Sequence, residues 1–121
     1  MLDLSDPAHP VSTAGTAIFR GVQSLTVAGG YAYVTDRWSV RIFDIADPAK
    51  PRLATVWNMP SGVPRAIVVR GPWAYFTADN AGFFVLNLEN PRAPKIAGSL
   101  SLGGFTYGLA VSGDYAYLAN S

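Results

Sequence analysis

The chain contains no cysteine, which excludes disulfides, iron–sulfur clusters and thiolate zinc sites, and leaves the redox compartment open. Histidine occurs once, at His9 in a proline-bounded turn, so a metal centre would lack its usual second imidazole or thiolate and no histidine is placed to activate a serine hydroxyl. Charge is scarce too. Only 14% of residues are charged, against about 25% in an ordinary soluble domain, so much of the side-chain surface must be shielded from water. Nine basic residues face eight acidic ones and neither sign runs in blocks; neither nucleic acid nor an anionic membrane is an expected partner. No apolar run approaches the roughly 18 residues of a membrane helix, because glycine, proline and charge interrupt each one. The start, Met1-Leu2-Asp3-Leu4-Ser5-Asp6-Pro7, lacks the basic and apolar regions of a signal peptide and reads as mature sequence. A soluble protein is expected, its compartment unset.

What the chain does have is internal repetition. Tyr31-Ala32-Tyr33 recurs as Trp73-Ala74-Tyr75 and as Tyr115-Ala116-Tyr117, at intervals of 42 residues, each preceded by a glycine at Gly29, Gly71 or Gly113. An Asx-Pro turn closed by a second proline recurs at Asp6-Pro7, Asp47-Pro48 and Asn90-Pro91, at intervals of 41 and 43 residues. Two independent markers therefore share one period.

Within a repeat every apolar pattern has period two, and β-branched and aromatic residues dominate. Strands are expected over 23–28, 31–35, 40–45 and 53–57, and again over 65–69, 73–77, 83–88 and 96–100, with Gly29-Gly30, Gly71-Pro72, Asp47-Pro48 and Asn90-Pro91 supplying turns. Four short antiparallel strands in each repeat of this length describe a β-propeller blade. Blades stack face to face, so both alternating sets of a strand can be apolar, as in Phe83-Phe84-Val85-Leu86.

The segments Val27 to Asp36 and Val40 to Pro48 resemble the LVIVD repeat of bacterial and archaeal propellers, many of them exported or surface proteins; Val69 to Ala78 and Val111 to Asn120 are similar. Copy two departs from the pattern at Asn87, Asn90 and Phe83-Phe84. The resemblance implies the fold and carries no catalytic motif.

The expected fold class is thus all-β, a propeller of four-stranded antiparallel blades with three repeats per chain. Residues 2–20 would supply strands three and four of one blade, 22–62 and 63–104 two complete blades, and 105–121 strands one and two. Propellers close with about four to eight blades. An arc of three would bare apolar faces and sheet edges, so the expected partner is the chain itself: a six-bladed homodimer is favoured over a nine-bladed homotrimer. A fragment of a longer propeller is the other possibility.

No catalytic constellation emerges. No G-x-S-x-G occurs, and Gly29-Gly30 and Gly103-Gly104 lack the lysine and helix of a phosphate loop. Asp6 and Asp47 read as turn formers, Asp3 and Asp44 as buried hydrogen-bonded positions of strand three, and His9 as a turn residue. No cofactor and no metal are expected, and the chain is not expected to be an enzyme. The positions that vary on the constant scaffold are Gln23, Arg65 and Tyr107, equivalent in the three copies at the start of strand one, where propellers bind ligands at the mouth of the channel. Asp36, Arg37, Trp38 and Asp79, near the corner between strands two and three, are further loop candidates; Trp38 suits stacking on a sugar or peptide, or packing over the sheet edge. The expected function is a non-catalytic, self-assembling binding scaffold. The alternatives are a lectin-like carbohydrate binder and an enzyme with a site on the ring axis.

Overall fold

The computed structural model describes residues 2–12 and 21–121. Among them there is no helix, and every element is a strand. A short hairpin, β1 (Leu2–Asp3) with β2 (Val11–Ser12), precedes two four-stranded antiparallel sheets. The first sheet orders β3 (Ser24–Ala28), β4 (Tyr31–Thr35), β5 (Ser39–Asp44) and β6 (Arg52–Asn58) as a meander. The second repeats it with β7 (Pro64–Arg70), β8 (Trp73–Ala78), β9 (Gly82–Asn87) and β10 (Lys95–Leu100), and a hairpin of β11 (Thr106–Ser112) and β12 (Tyr115–Asn120) follows. The remainder of the expected first half-blade, residues 13–20, lies outside the described residues.

The local causes are those of a hairpin ladder. Gly29 and Gly30, at φ of 56° and 79°, take the two left-handed positions that a tight β3–β4 turn demands. Gly82, at φ 99°, opens β9 where an added Cβ would run into the Leu100 carbonyl, so only glycine fits. One bulge recurs in both sheets: the pairing of strands three and four skips Ala54 in the first and Ala97 in the second, adding local twist at the outer strand.

The core lies between the sheets. Tyr33, Val40 and Ile42 from the first pack on Ile67, Ala74, Phe76, Phe84 and Leu86 from the second. Phe76 stacks on Phe84 at 5.3 Å and meets the edge of Trp57 at 5.8 Å, favourable geometries for aromatic pairs. The expectation that both faces of strand three are shielded holds on one side only for β9: Phe84 and Leu86 are buried, while Phe83 and Val85 are half-buried. Among the described residues the following hairpin has only two strands, β11 and β12, to set against them.

Candidate binding rim at the inner strands

Strand one begins, and strand two ends, at the same end of each sheet, so the starts of β3, β7 and β11 and the corners after β4 and β8 share one rim. Backbone bonds fix this: Gln23 donates its N–H to the Thr35 carbonyl at 2.8 Å, and Thr106 donates to the Asp79 carbonyl at 3.2 Å. The Thr77 hydroxyl ties the second sheet to the next hairpin, donating to the Tyr107 carbonyl at 3.2 Å.

Two of the three equivalent rim residues sit in bulges. The β7–β8 ladder is interrupted between Pro64 and Ile67, and the β11–β12 ladder between Thr106 and Gly108, so Arg65 and Tyr107 occupy the irregular stretches. A bulge re-aims its side chain out of the pleat. Arg65 grips Asp79 with two donors, Nε to Oδ1 at 2.5 Å and Nη2 to Oδ2 at 3.0 Å, and sends Nη1 to Gln23 Oε1 at 2.8 Å. Gln23 in turn donates to the Gly21 carbonyl at 3.0 Å. Asp79, with Tyr107 adding a smaller contribution, outweighs desolvation and holds the Arg65 guanidinium even more firmly protonated. The backbone of Asp79 is left-handed, at φ 32°, which an aspartate tolerates better than most residues. The structure thus brings Gln23, Arg65 and Asp79 into one network with Tyr107 beside it. Tyr107 itself is half-exposed and stacks on Phe105 at 6.3 Å.

Asp36 plays another part. Its Oδ1 accepts the Trp38 and Ser39 N–H groups, both at 2.8 Å, and its Oδ2 accepts Ser39 Oγ at 2.9 Å and Arg41 Nε at 2.7 Å. It clamps the β4–β5 corner from a buried position. Asp36 and Asp79 are therefore each held by an arginine of their own sheet, the opposite of two carboxylates poised across a substrate. Arg37 is exposed and lays its stem close over Gly21. Trp38 is 68% exposed, so packing over the sheet edge does not account for it.

The other acids correct one expectation and fulfil another. Asp3 and Asp44 are not buried: Asp3 is exposed and Asp44 half-buried, and both close Asx turns, to the Ser5 N–H at 2.8 Å and the Ala46 N–H at 2.9 Å. Each ends its strand three, where the chain turns into the Asx-Pro loop. Asp6 and Asp47 form the turns expected of them, bonding the Ala8 and Ala49 N–H groups at 3.1 and 3.0 Å. His9 pairs with Asp6 at 2.9 Å on the surface. Sequence reasoning missed the polar links between sheets, Arg92 to Asp44 at 2.8 Å and Arg70 to the Gly113 carbonyl at 3.1 Å. Their separations of 48 and 43 residues, close to one repeat, were the available signal.

Meandering four-stranded sheets that recur with the sequence period, stacked through apolar faces, are consistent with the blades of a β-propeller. The LVIVD repeat family matches residues 20–58 and 103–121. Over those two segments the chain is similar to LVIVD repeats. The match passes over the middle copy, the one in which Asn87, Asn90 and Phe83-Phe84 depart from the pattern. No curated protein matches the chain.

Proposed function

We propose that the chain is a non-catalytic β-propeller repeat module that assembles with a second copy of itself and presents the inner-strand rim as a binding scaffold. One contrast carries the reading: equivalent positions are buried inside the chain and bare at its flanks. Tyr33 and Ile67, 3% and 5% exposed, meet between the two sheets. Tyr117, two repeats beyond Tyr33, is 61% exposed, and Leu25, one repeat before Ile67, is 60% exposed, as is its neighbour Val27. Placing the Tyr117 face of one copy on the Leu25 face of another reproduces a contact the chain already makes. Two copies of three repeats give six blades, within the range of closed propellers.

Light scattering tests this. A mass near twice 12.9 kDa supports the six-bladed ring, three times that mass points to nine blades, and a folded monomer overturns the assembly.

The rim chemistry favours binding over turnover. Arg65 spends three donors on Asp79 and Gln23, and Asp79 is tied to a guanidinium, so neither is poised as a free acid or base. A carbohydrate ligand is the second reading, because exposed Trp38 and the half-exposed Phe105–Tyr107 stack lie at the same end of the sheets and such rings suit sugar faces. Glycan-array binding that dims in Trp38→Ala supports it. Turnover lost in Arg65→Ala would replace both readings with an enzyme.

A further inference from the structure

Resting on that assembly, we infer that the N-terminal hairpin of one copy adds to the free edge of β12 in the other, in a register dictated by the chain's own two complete sheets. In both sheets strand three meets strand two alike: Tyr31 faces Asp44 and Ala32 faces Phe43, while Trp73 faces Asn87 and Ala74 faces Leu86. Each pairing is closed by the same further bond, from the Ile45 N–H to the Gly30 carbonyl at 3.0 Å and from the Leu88 N–H to the Pro72 carbonyl at 2.7 Å.

The hairpin carries a third copy of this edge. Asp3-Leu4-Ser5-Asp6-Pro7 repeats Asp44-Ile45-Ala46-Asp47-Pro48, and its Asx turn has the same geometry, with Asp3 bonding Ser5 at 2.8 Å as Asp44 bonds Ala46 at 2.9 Å and Asn87 bonds Glu89 at 2.8 Å. Thus β1 is a strand three paired with its strand four, and β12 is a strand two whose one partner among the described residues is its strand one. Each has the edge the other needs. Transferring the register puts the second copy's Asp3 opposite Tyr115, its Leu2 opposite Ala116, and its Leu4 N–H on the Asp114 carbonyl.

There is room for the incoming side chain. Tyr75 and Phe83, stacked at 6.3 Å, wall a cleft of about 320 Å³ together with Val111, Asp114 and Tyr115. Their equivalents in the first sheet, Tyr33 and Val40, are buried because strand three of the next sheet fills that space. Leu2 takes the position of fully buried Leu86 and is itself 59% exposed. In the assembly it occupies the cleft.

The chain's lack of cysteine makes the test clean. Residues facing each other in a pair without mutual hydrogen bonds lie about 4.5 Å apart, within the span of a disulfide. Asp3→Cys and Tyr115→Cys chains, mixed and oxidised, are expected to give a covalent dimer on a non-reducing gel, at least about ten-fold above either variant alone. Asp3→Cys mixed with Ala116→Cys, one residue out and on the opposite face, should stay unlinked. Linkage in the second mixture and not the first overturns the register. A two-copy mass by light scattering with no linkage in either mixture also overturns it and leaves the assembly standing, whereas a folded monomer removes both. Leu4→Pro, lacking the N–H that would reach Asp114, gives an independent reading: a strand-rich monomer is expected, and an unchanged two-copy mass overturns the inference.

Discussion

Asp36 shows how one side chain sets a corner. Burial pushes its carboxyl up, and the bonds from Arg41, Trp38 and Ser39 more than offset this, so the group titrates below the ordinary 3.8. A lowered folded value means that the stabilisation is present in full above the unfolded value and drains away as pH falls through the folded one. The acid limb attributable to this corner therefore begins near pH 4 and deepens below it. Asp36→Asn keeps the shape, loses the charge and turns a donor toward Arg41; a cost of about 2 kcal/mol at pH 7 is expected for bonds to a charged group. Urea denaturation at pH 7 and pH 3 checks both parts. The gap between wild type and variant should narrow at the lower pH, and a gap that stays constant or widens would remove the carboxylate from the account.

The sheets are held to each other by apolar stacking much more than by ion pairs, and magnitudes decide it. Phe76 is fully buried against Phe84 and Trp57, so Phe76→Ala should cost about 3–5 kcal/mol. The Arg92–Asp44 bridge joins the same two sheets with both partners partly in water, and Arg92→Ala should cost under about 1 kcal/mol. Thermal unfolding of the two variants measures the difference directly. This is also the scale at which the sequence was most legible. Period-two patterning placed each strand of the two complete sheets to within a residue or two, and Asx-Pro and glycine pairs placed the turns, because both are local causes. The bulges at Arg65 and Tyr107 were invisible, since a bulge exists only relative to the partner strand. The exposure of Asp3 and Asp44 was misjudged for a related reason: a strand position says which face a residue takes and not how far the neighbouring sheet extends. Gln23, Arg65 and Tyr107 could be aligned by the repeat, whereas the grip of Arg65 on Asp79, 14 residues away, needed the left-handed corner to bring the two together.

For the whole molecule, the repeat supplies an internal control that few proteins offer. Tyr33 and Tyr117 stand at one register position two repeats apart, one packed between sheets and one on an open face. Burial has pushed the Tyr33 phenol above its ordinary value, with the nearby Tyr31 adding to the shift. Tyr33→Ala should therefore cost about 3–5 kcal/mol at any protein concentration, as for other large buried aromatics. Tyr117→Ala has little to lose within one chain, and its effect depends on whether a second copy covers that face. Association that requires the folded chain raises the unfolding midpoint with concentration. The proposed ring thus predicts a wild-type midpoint that climbs over a hundred-fold rise in concentration and a Tyr117→Ala midpoint that stays nearly flat, the two curves meeting at high dilution. Calorimetry across that range tests it. Parallel curves, or a wild-type midpoint indifferent to concentration, would mean that the tyrosine face of β12 meets water and not a second copy.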